Sequence, residues 1–133
     1  LDDIVQVRRA LARQYHELLW DVPGLELPRE PAWARSNWQS YCVMLPPGAD
    51  QRTVMQTLLE QGISTRRGIM CSHREAAYAD VPLRTPLPRS EAAQDQGLML
   101  PLYPGLQPDE QSFVARALRD VLSSCRGDAR RVA

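Results

Sequence analysis

Proline does most to limit what this chain can fold into. None of its eleven prolines falls within residues 2–19, 51–61 or 109–122. Proline inside a helix removes a backbone hydrogen bond and collides with the preceding turn, so these stretches are open to helix where the proline-rich loops are not. In the first, Ile4, Val5, Leu11, Tyr15, Leu18 and Leu19 fall near one stripe, with Arg8, Arg9, Arg13 and Glu17 mostly off it. Asp2 and Asp3 suit the positive end of such a helix, and Asp21-Val22-Pro23-Gly24 ends it. His16 lies beside the stripe and reads as a surface or packing residue. Residues 22–36, with Pro23, Pro28 and Pro31, are loop, and Trp33 and Trp38 near its end read as packing anchors.

Residues 38–45, WQSYCVML, alternate as a strand, with Tyr41, Val43 and Leu45 on one side and Cys42 and Met44 on the other. Both sides are apolar, which predicts a central place in a sheet. Asp50 is a good N-cap for a helix over 51–61 that buries Val54, Met55, Leu58 and Leu59. Gly62 then falls where a left-handed residue is wanted, and Ile63 can pack back on the last turn. Ile63 to Arg67 predicts a second strand, and residues 69–89, with Pro82, Pro86 and Pro88, a long loop of the kind that carries function or contacts. Ser90 suits the cap of a short helix over 91–95. Residues 97–102 predict a strand whose Pro101 implies an edge position or an early end. Pro108, Asp109 and Glu110 open a last helix with Phe113, Val114, Ala117, Leu118, Val121 and Leu122 on its core face. Beyond Ser124 the chain is expected to fray.

At 133 residues and 44% hydrophobic composition the chain suits one domain with an ordinary core. Acids and bases balance at 16 each without a basic stripe, which argues against nucleic acid as a partner. No apolar run approaches the ~20 residues that span a bilayer, and no signal-peptide pattern opens the chain, so a cytoplasmic location is expected. Cys42, Cys71 and Cys125 are too scattered for a disulfide framework or a zinc site and read as thiols in a reducing compartment. Every basic side chain other than histidine is arginine. Without a lysine, no Schiff base can form on this chain. The start at Leu1, without methionine and directly in a helical pattern, leads us to expect a fragment.

Chemistry concentrates in GISTRRGIMCSHREAAY, residues 62–78. His73 has Arg66, Arg67 and Arg74 near it in sequence, followed by Glu75 and Tyr78. Arginines around a loop histidine favour binding of carboxylate or phosphate by paired hydrogen bonds. Cys71 alternates with His73 on an extended chain, but nothing marks it as activated. The residues alone lead to a small α+β domain with one notable loop. A non-catalytic module that binds a ligand or partner, or a ferredoxin-like regulatory domain, would satisfy them equally.

The order of parts adds more. A helix carrying Tyr15, a proline loop, SYCVMLP, a helix ending QGI, STRRGIMCSHREAAY, and LMLPLYPGL before a last helix together resemble the DegT/StrS family of nucleotide-sugar aminotransferases. The resemblance covers roughly residues 5–122. It implies the C-terminal small domain of the aspartate-aminotransferase fold: α+β, with a small, mainly antiparallel sheet and helices packed on one face. On this reading residues 1–133 form one domain, with an opening helix over 1–20, an α+β core over 37–123 and a tail over 124–133. The N-terminal domain that binds pyridoxal phosphate would be absent from this chain, which is expected to hold no cofactor and to be inactive alone. The implied reaction of the parent protein, a homodimer, transfers an amino group, usually from glutamate, to a keto-sugar nucleotide; some relatives dehydrate the sugar instead. His73 matches the histidine that ends the family's loop at the active-site mouth, which implies a substrate-binding role, with Arg66, Arg67 and Tyr78 as further candidates. Where the family often carries Tyr-x-Pro-Leu-His, this chain has Ile69-Met70-Cys71-Ser72-His73.

Overall fold

The computed structural model of the chain describes residues 1–129, with side chains through Cys125. Its elements are α1 (Asp2–Leu19), β1 (Tyr41–Met44), α2 (Gln51–Glu60), β2 (Arg66–Arg67), two single 3-10 turns (Ser72–Arg74 and Ala76–Tyr78), α3 (Pro88–Gln96), β3 (Gly97–Leu100) and α4 (Pro108–Ala129). The architecture is α+β, with one three-stranded antiparallel sheet, as the sequence predicts.

Both ends of α2 are built as its residues dictate. Asp50 accepts a hydrogen bond from the Thr53 backbone N–H at 2.8 Å, satisfying one of the donors a helix start leaves free. At the other end Gly62 adopts φ +80°, and the amides of Gly62 and Ile63 donate back to the Leu59 and Leu58 carbonyls at 2.9 Å each. Only glycine enters that conformation without a steric penalty. Ile63 is buried there, as expected. At the start of α4 the Glu110 side chain reaches back to accept from the Gln107 amide at 2.8 Å, the other half of a capping box.

The strand order is β1-β3-β2, so β3 is central and β1 lies at an edge, contrary to the expectation for residues 38–45. Apolarity on both faces of β1 reflects burial of Tyr41 and Val43 against the helices and partial burial of Cys42 and Met44 behind them. Burial of faces does not determine which edges are paired. The outer edge of β1 is closed by a single bridge from Glu26 to Met44. Pro101 directly follows β3, so its effect is to end the strand early rather than to place it at an edge.

Tyr15, Leu19, Val54, Leu58 and Leu118 from the helices pack with Tyr41, Val43 and Leu98 of the sheet in one contiguous core. Each such side chain contributes about 1.5–3 kcal/mol on full burial. Two buried polar contacts set the register of the helices. Tyr15 donates its hydroxyl to the Pro101 carbonyl at 2.9 Å, and its ring lies 5.1 Å from that of Tyr41. Gln111, fully buried on α4, donates its side-chain amide to the Leu11 carbonyl at 2.6 Å.

Several sequence expectations need correction. On α4 Val114, Ala117, Leu118, Val121 and Leu122 are buried as predicted, but Phe113 is exposed beneath Arg116, and the core face takes in Gln111 and Ala115 instead. Leu59 and Ile4 are likewise exposed. The second strand shrinks from 63–67 to two residues, because Ile63 is held in the helix cap. The third helix starts at Pro88, not at Ser90, and no side chain caps it; proline at a first helical position lacks only an N–H that would be unpaired anyway. The last helix continues past Ser124 to Ala129, where Cys125 extends its apolar stripe onto the core; residues 130–133 of the expected frayed tail lie outside the described residues.

The two tryptophans part company. Trp33 is 88% exposed and anchors nothing. Trp38 packs on the core and stacks on Tyr41 at 5.8 Å, in a left-handed conformation with φ +49° that begins the strand only at Tyr41. The loop before it is tied down by Arg9, whose guanidinium grips Glu30 at 2.7 and 2.8 Å and also donates to the Ser36 carbonyl. With the Ser36 amide as a further donor, the Glu30 carboxyl is held down to about 2. The cysteines are free thiols. No helix among the described residues is long and apolar enough to cross a membrane.

Candidate functional site

After α2 the chain runs through β2 into the 3-10 turn that carries His73. Two glycines let α3 lie directly against this segment. A Cβ on Gly68 would come within 2.7 Å of the Ala93 carbonyl oxygen on α3, and one on Gly97 closer still. Real Cβ atoms do not approach so near, so both positions need glycine for space. The Gly68 amide then donates to the Gly97 carbonyl at 2.8 Å, and Gln51 of α2 donates to the same oxygen at 2.7 Å.

Placed there, one face of α3 grips the loop residue by residue. The Cys71 amide donates to the Gln94 side chain, and the buried Cys71 thiol to the Ser90 carbonyl at 3.1 Å. His73 Nε2 lies 3.0 Å from Glu91 Oε1, with the imidazole only 14% exposed. Arg74 binds both Asp95 oxygens at 2.7 and 2.9 Å, and its other nitrogen lies 3.3 Å from Glu91 Oε2. The hydrogen bond to Asp95 raises the Arg74 guanidinium further above its ordinary range. Two carboxylates therefore occupy Arg74, which leaves it less free for an external anion than its place in the sequence suggests.

Of the residues expected to form a site, His73 is the one built into this cluster. Arg66 and Arg67 follow each other on β2, opposite Met99 and Leu98, and so project from opposite faces of the sheet. Both are exposed, and Arg67 lines a broad groove along α2 together with Arg52, Thr65 and Asp95. Tyr78 is half-exposed in the second 3-10 turn. Among the described residues no hydrogen bond or ion pair joins any two of these four. Reasoning from sequence missed Glu91, Gln94 and Asp95, which appeared there only as part of a short helix. Their signal was present: 90, 91, 94 and 95 share one helical face, and a polar face of that kind needs polar partners.

The donor set does not fit pyridoxal phosphate as a resident group. Its covalent anchor is a lysine amine, and this chain has none. No step through that cofactor follows from these residues. Among the described residues no group of three or more His, Cys, Asp or Glu side chains could hold a metal ion.

A small antiparallel sheet with helices α1, α2 and α4 packed together, and a histidine loop braced by α3, is one part of an aminotransferase fold. The chain superposes on the aminotransferase TlmJ from Streptoalloteichus hindustanus with a TM-score of 0.83 at 27% identity, covering 93% of this chain and 33% of that one. It superposes on DesV of S. venezuelae with a TM-score of 0.80 at 28% identity, covering 91% and 32%. The chain belongs to the DegT/DnrJ/EryC1/StrS aminotransferase family, whose model matches residues 1–119. A curated relative, the dTDP-4-dehydro-2,3,6-trideoxy-D-glucose 4-aminotransferase of Saccharopolyspora spinosa, is 38% identical over 117 residues, 86% of this chain. The chain spans 29% of that relative's length.

Proposed function

We propose that this chain is the C-terminal portion of an aminotransferase that uses pyridoxal phosphate to move an amino group from glutamate to a keto-sugar nucleotide. The observation that carries the reading is that a chain with 38% identity to a sugar aminotransferase matches less than a third of it, and lacks the lysine that the chemistry demands. An N-terminal domain would supply the lysine, the acid that pairs with the pyridine nitrogen and most phosphate contacts. This chain, as a C-terminal small domain, would close the substrate side. His73 lies at the mouth of the site, and the two exposed arginines Arg66 and Arg67, with Tyr78, are the further candidates for sugar-nucleotide contacts. The working protein is a cytoplasmic homodimer on this reading.

The test is the visible spectrum of the protein from the full reading frame, with pyridoxal phosphate, before and after glutamate. The reading expects a band from lysine-bound cofactor that glutamate bleaches. A band indifferent to glutamate would favour another donor or the dehydrating relatives. No band would overturn the catalytic reading in favour of a non-catalytic binding module. The 133-residue chain alone, lacking lysine, should give no such band.

A further inference from the structure

We propose that Glu91 is a positioning residue for His73, fixing the imidazole as its Nε2–H tautomer and leaving Nδ1 as a hydrogen-bond acceptor for a substrate hydroxyl. The substrate part of this inference rests on the sugar-aminotransferase reading above. The clamp itself rests on geometry. Glu91 is within hydrogen-bond reach of Nε2, at 3.0 Å. An ionised carboxylate can only accept hydrogen bonds, so a neutral imidazole facing one must carry its proton on that nitrogen. Arg74 lies against the second Glu91 oxygen and is itself anchored by Asp95. A guanidinium fixed against the far oxygen restrains rotation of the carboxylate and keeps its near oxygen on the imidazole.

The other ring nitrogen is available. His73 Nδ1 makes no hydrogen bond among the described residues, and it is not among the buried side-chain atoms without a partner. It is therefore not completely sealed from solvent. A neutral imidazole in this state accepts at Nδ1 and does not donate there, which suits a hydroxyl of a sugar and disfavours a bare anion. The anion contacts expected of this loop then fall to other groups. The arrangement resembles the way metal-bound histidines are oriented, where a carboxylate on one nitrogen sets the tautomer and basicity of the other. Bracing extends along the loop: Cys71 is bound to Gln94 and Ser90 on the same helical face, so ring and backbone are held by one element. Solvent-exposed histidines have no such constraint. His16, exposed on α1, provides the comparison within the same molecule.

The experiment uses this chain labelled with nitrogen-15 at histidine, at mildly alkaline pH where imidazole is neutral. Correlation of ring nitrogens with carbon-bound ring protons reports the tautomer at each of the two histidines, and His73→Gln identifies their signals. The expected result is one tautomer at His73, protonated at Nε2 and bare at Nδ1, with both nitrogen shifts moving to those of His16 in Glu91→Ala. Protonation at Nδ1, shifts equal to those of His16 in the unaltered chain, or shifts unmoved in Glu91→Ala would each overturn the proposal. The first two are read on the unaltered chain, so they hold even where Glu91→Ala fails to fold. No substrate is present, so failure of the clamp is separate from failure of the aminotransferase reading, which the cofactor spectrum tests.

Discussion

Replacing Gly97 with alanine asks whether α3 is held against the sheet by close backbone contact. The backbone there is extended, φ −72° and ψ 125°, so alanine introduces no conformational strain. Alanine would even gain about 0.4–1 kcal/mol by restricting the unfolded chain. Against this, its Cβ would collide with the Ala93 carbonyl, and would lie 3.3 Å from the Gly68 Cα and 3.5 Å from the Cys42 sulfur. Two of these neighbours are backbone and cannot rotate away. Overpacking of this kind costs about 1–3 kcal/mol, and with the Cβ under 3.0 Å from a backbone oxygen the cost falls in the upper half of that range, leaving a net loss of at least about 1–2 kcal/mol. Unfolding entropy of about 2.1 cal/mol/K per residue converts that, for 133 residues, to a fall in Tm of about 4–7 °C. Thermal denaturation measures the size, and amide hydrogen exchange locates the damage. Gly62→Ala is the control: its Cβ would meet nothing within 4 Å, but at φ +80° it carries about 1–2 kcal/mol of strain. Gly97→Ala should accelerate exchange in residues 68–74 and in α3, whereas Gly62→Ala should act at the end of α2. A Gly97→Ala protein as stable as the parent, or with α3 protected as before, would refute the contact argument.

Three further outcomes follow from the core and the loop anchor. Leu118→Ala, at a fully buried position on α4, should cost about 2–5 kcal/mol by urea denaturation, without change in the dependence on denaturant. Tyr15→Phe removes the hydroxyl that meets the Pro101 carbonyl, and should cost about 1 kcal/mol while leaving the secondary structure intact by circular dichroism. Because the folded Glu30 carboxyl is depressed to about 2, its pairing with Arg9 contributes stability that is fully present above the ordinary glutamate value of about 4.3 and is lost as pH falls through about 2. Glu30→Gln should flatten that part of an acid titration followed by tryptophan fluorescence from Trp38, whose loop the pair anchors.

How legible the fold was varied with the range of the interactions involved. The caps of α2 were readable because Asp50 and Gly62 act on backbone groups within a few residues. The start of α4 was readable because proline at a first helical position has a local reason. The face of α4 was less so: Phe113 looked like core, yet the buried position went to Gln111, whose amide meets a carbonyl 100 residues away. The site followed the same division. His73 stood out by its neighbours in sequence, but Glu91 and Asp95, which hold it and Arg74, lie on another element about twenty residues later.

By itself the sequence determined both ends of α2, the start of α4, and that no lysine chemistry can occur on this chain, because these depend on proline, glycine, caps and residue inventory. The family resemblance was also carried by motifs in order along the chain. Only the tertiary structure decided that β3 is the central strand, that Arg66 and Arg67 stay exposed, and that Arg74 is neutralised by α3. Strand order and ion pairing depend on which distant groups meet in space, and two glycines with no side chain at all, Gly68 and Gly97, are what allow α3 to come close enough to make that choice.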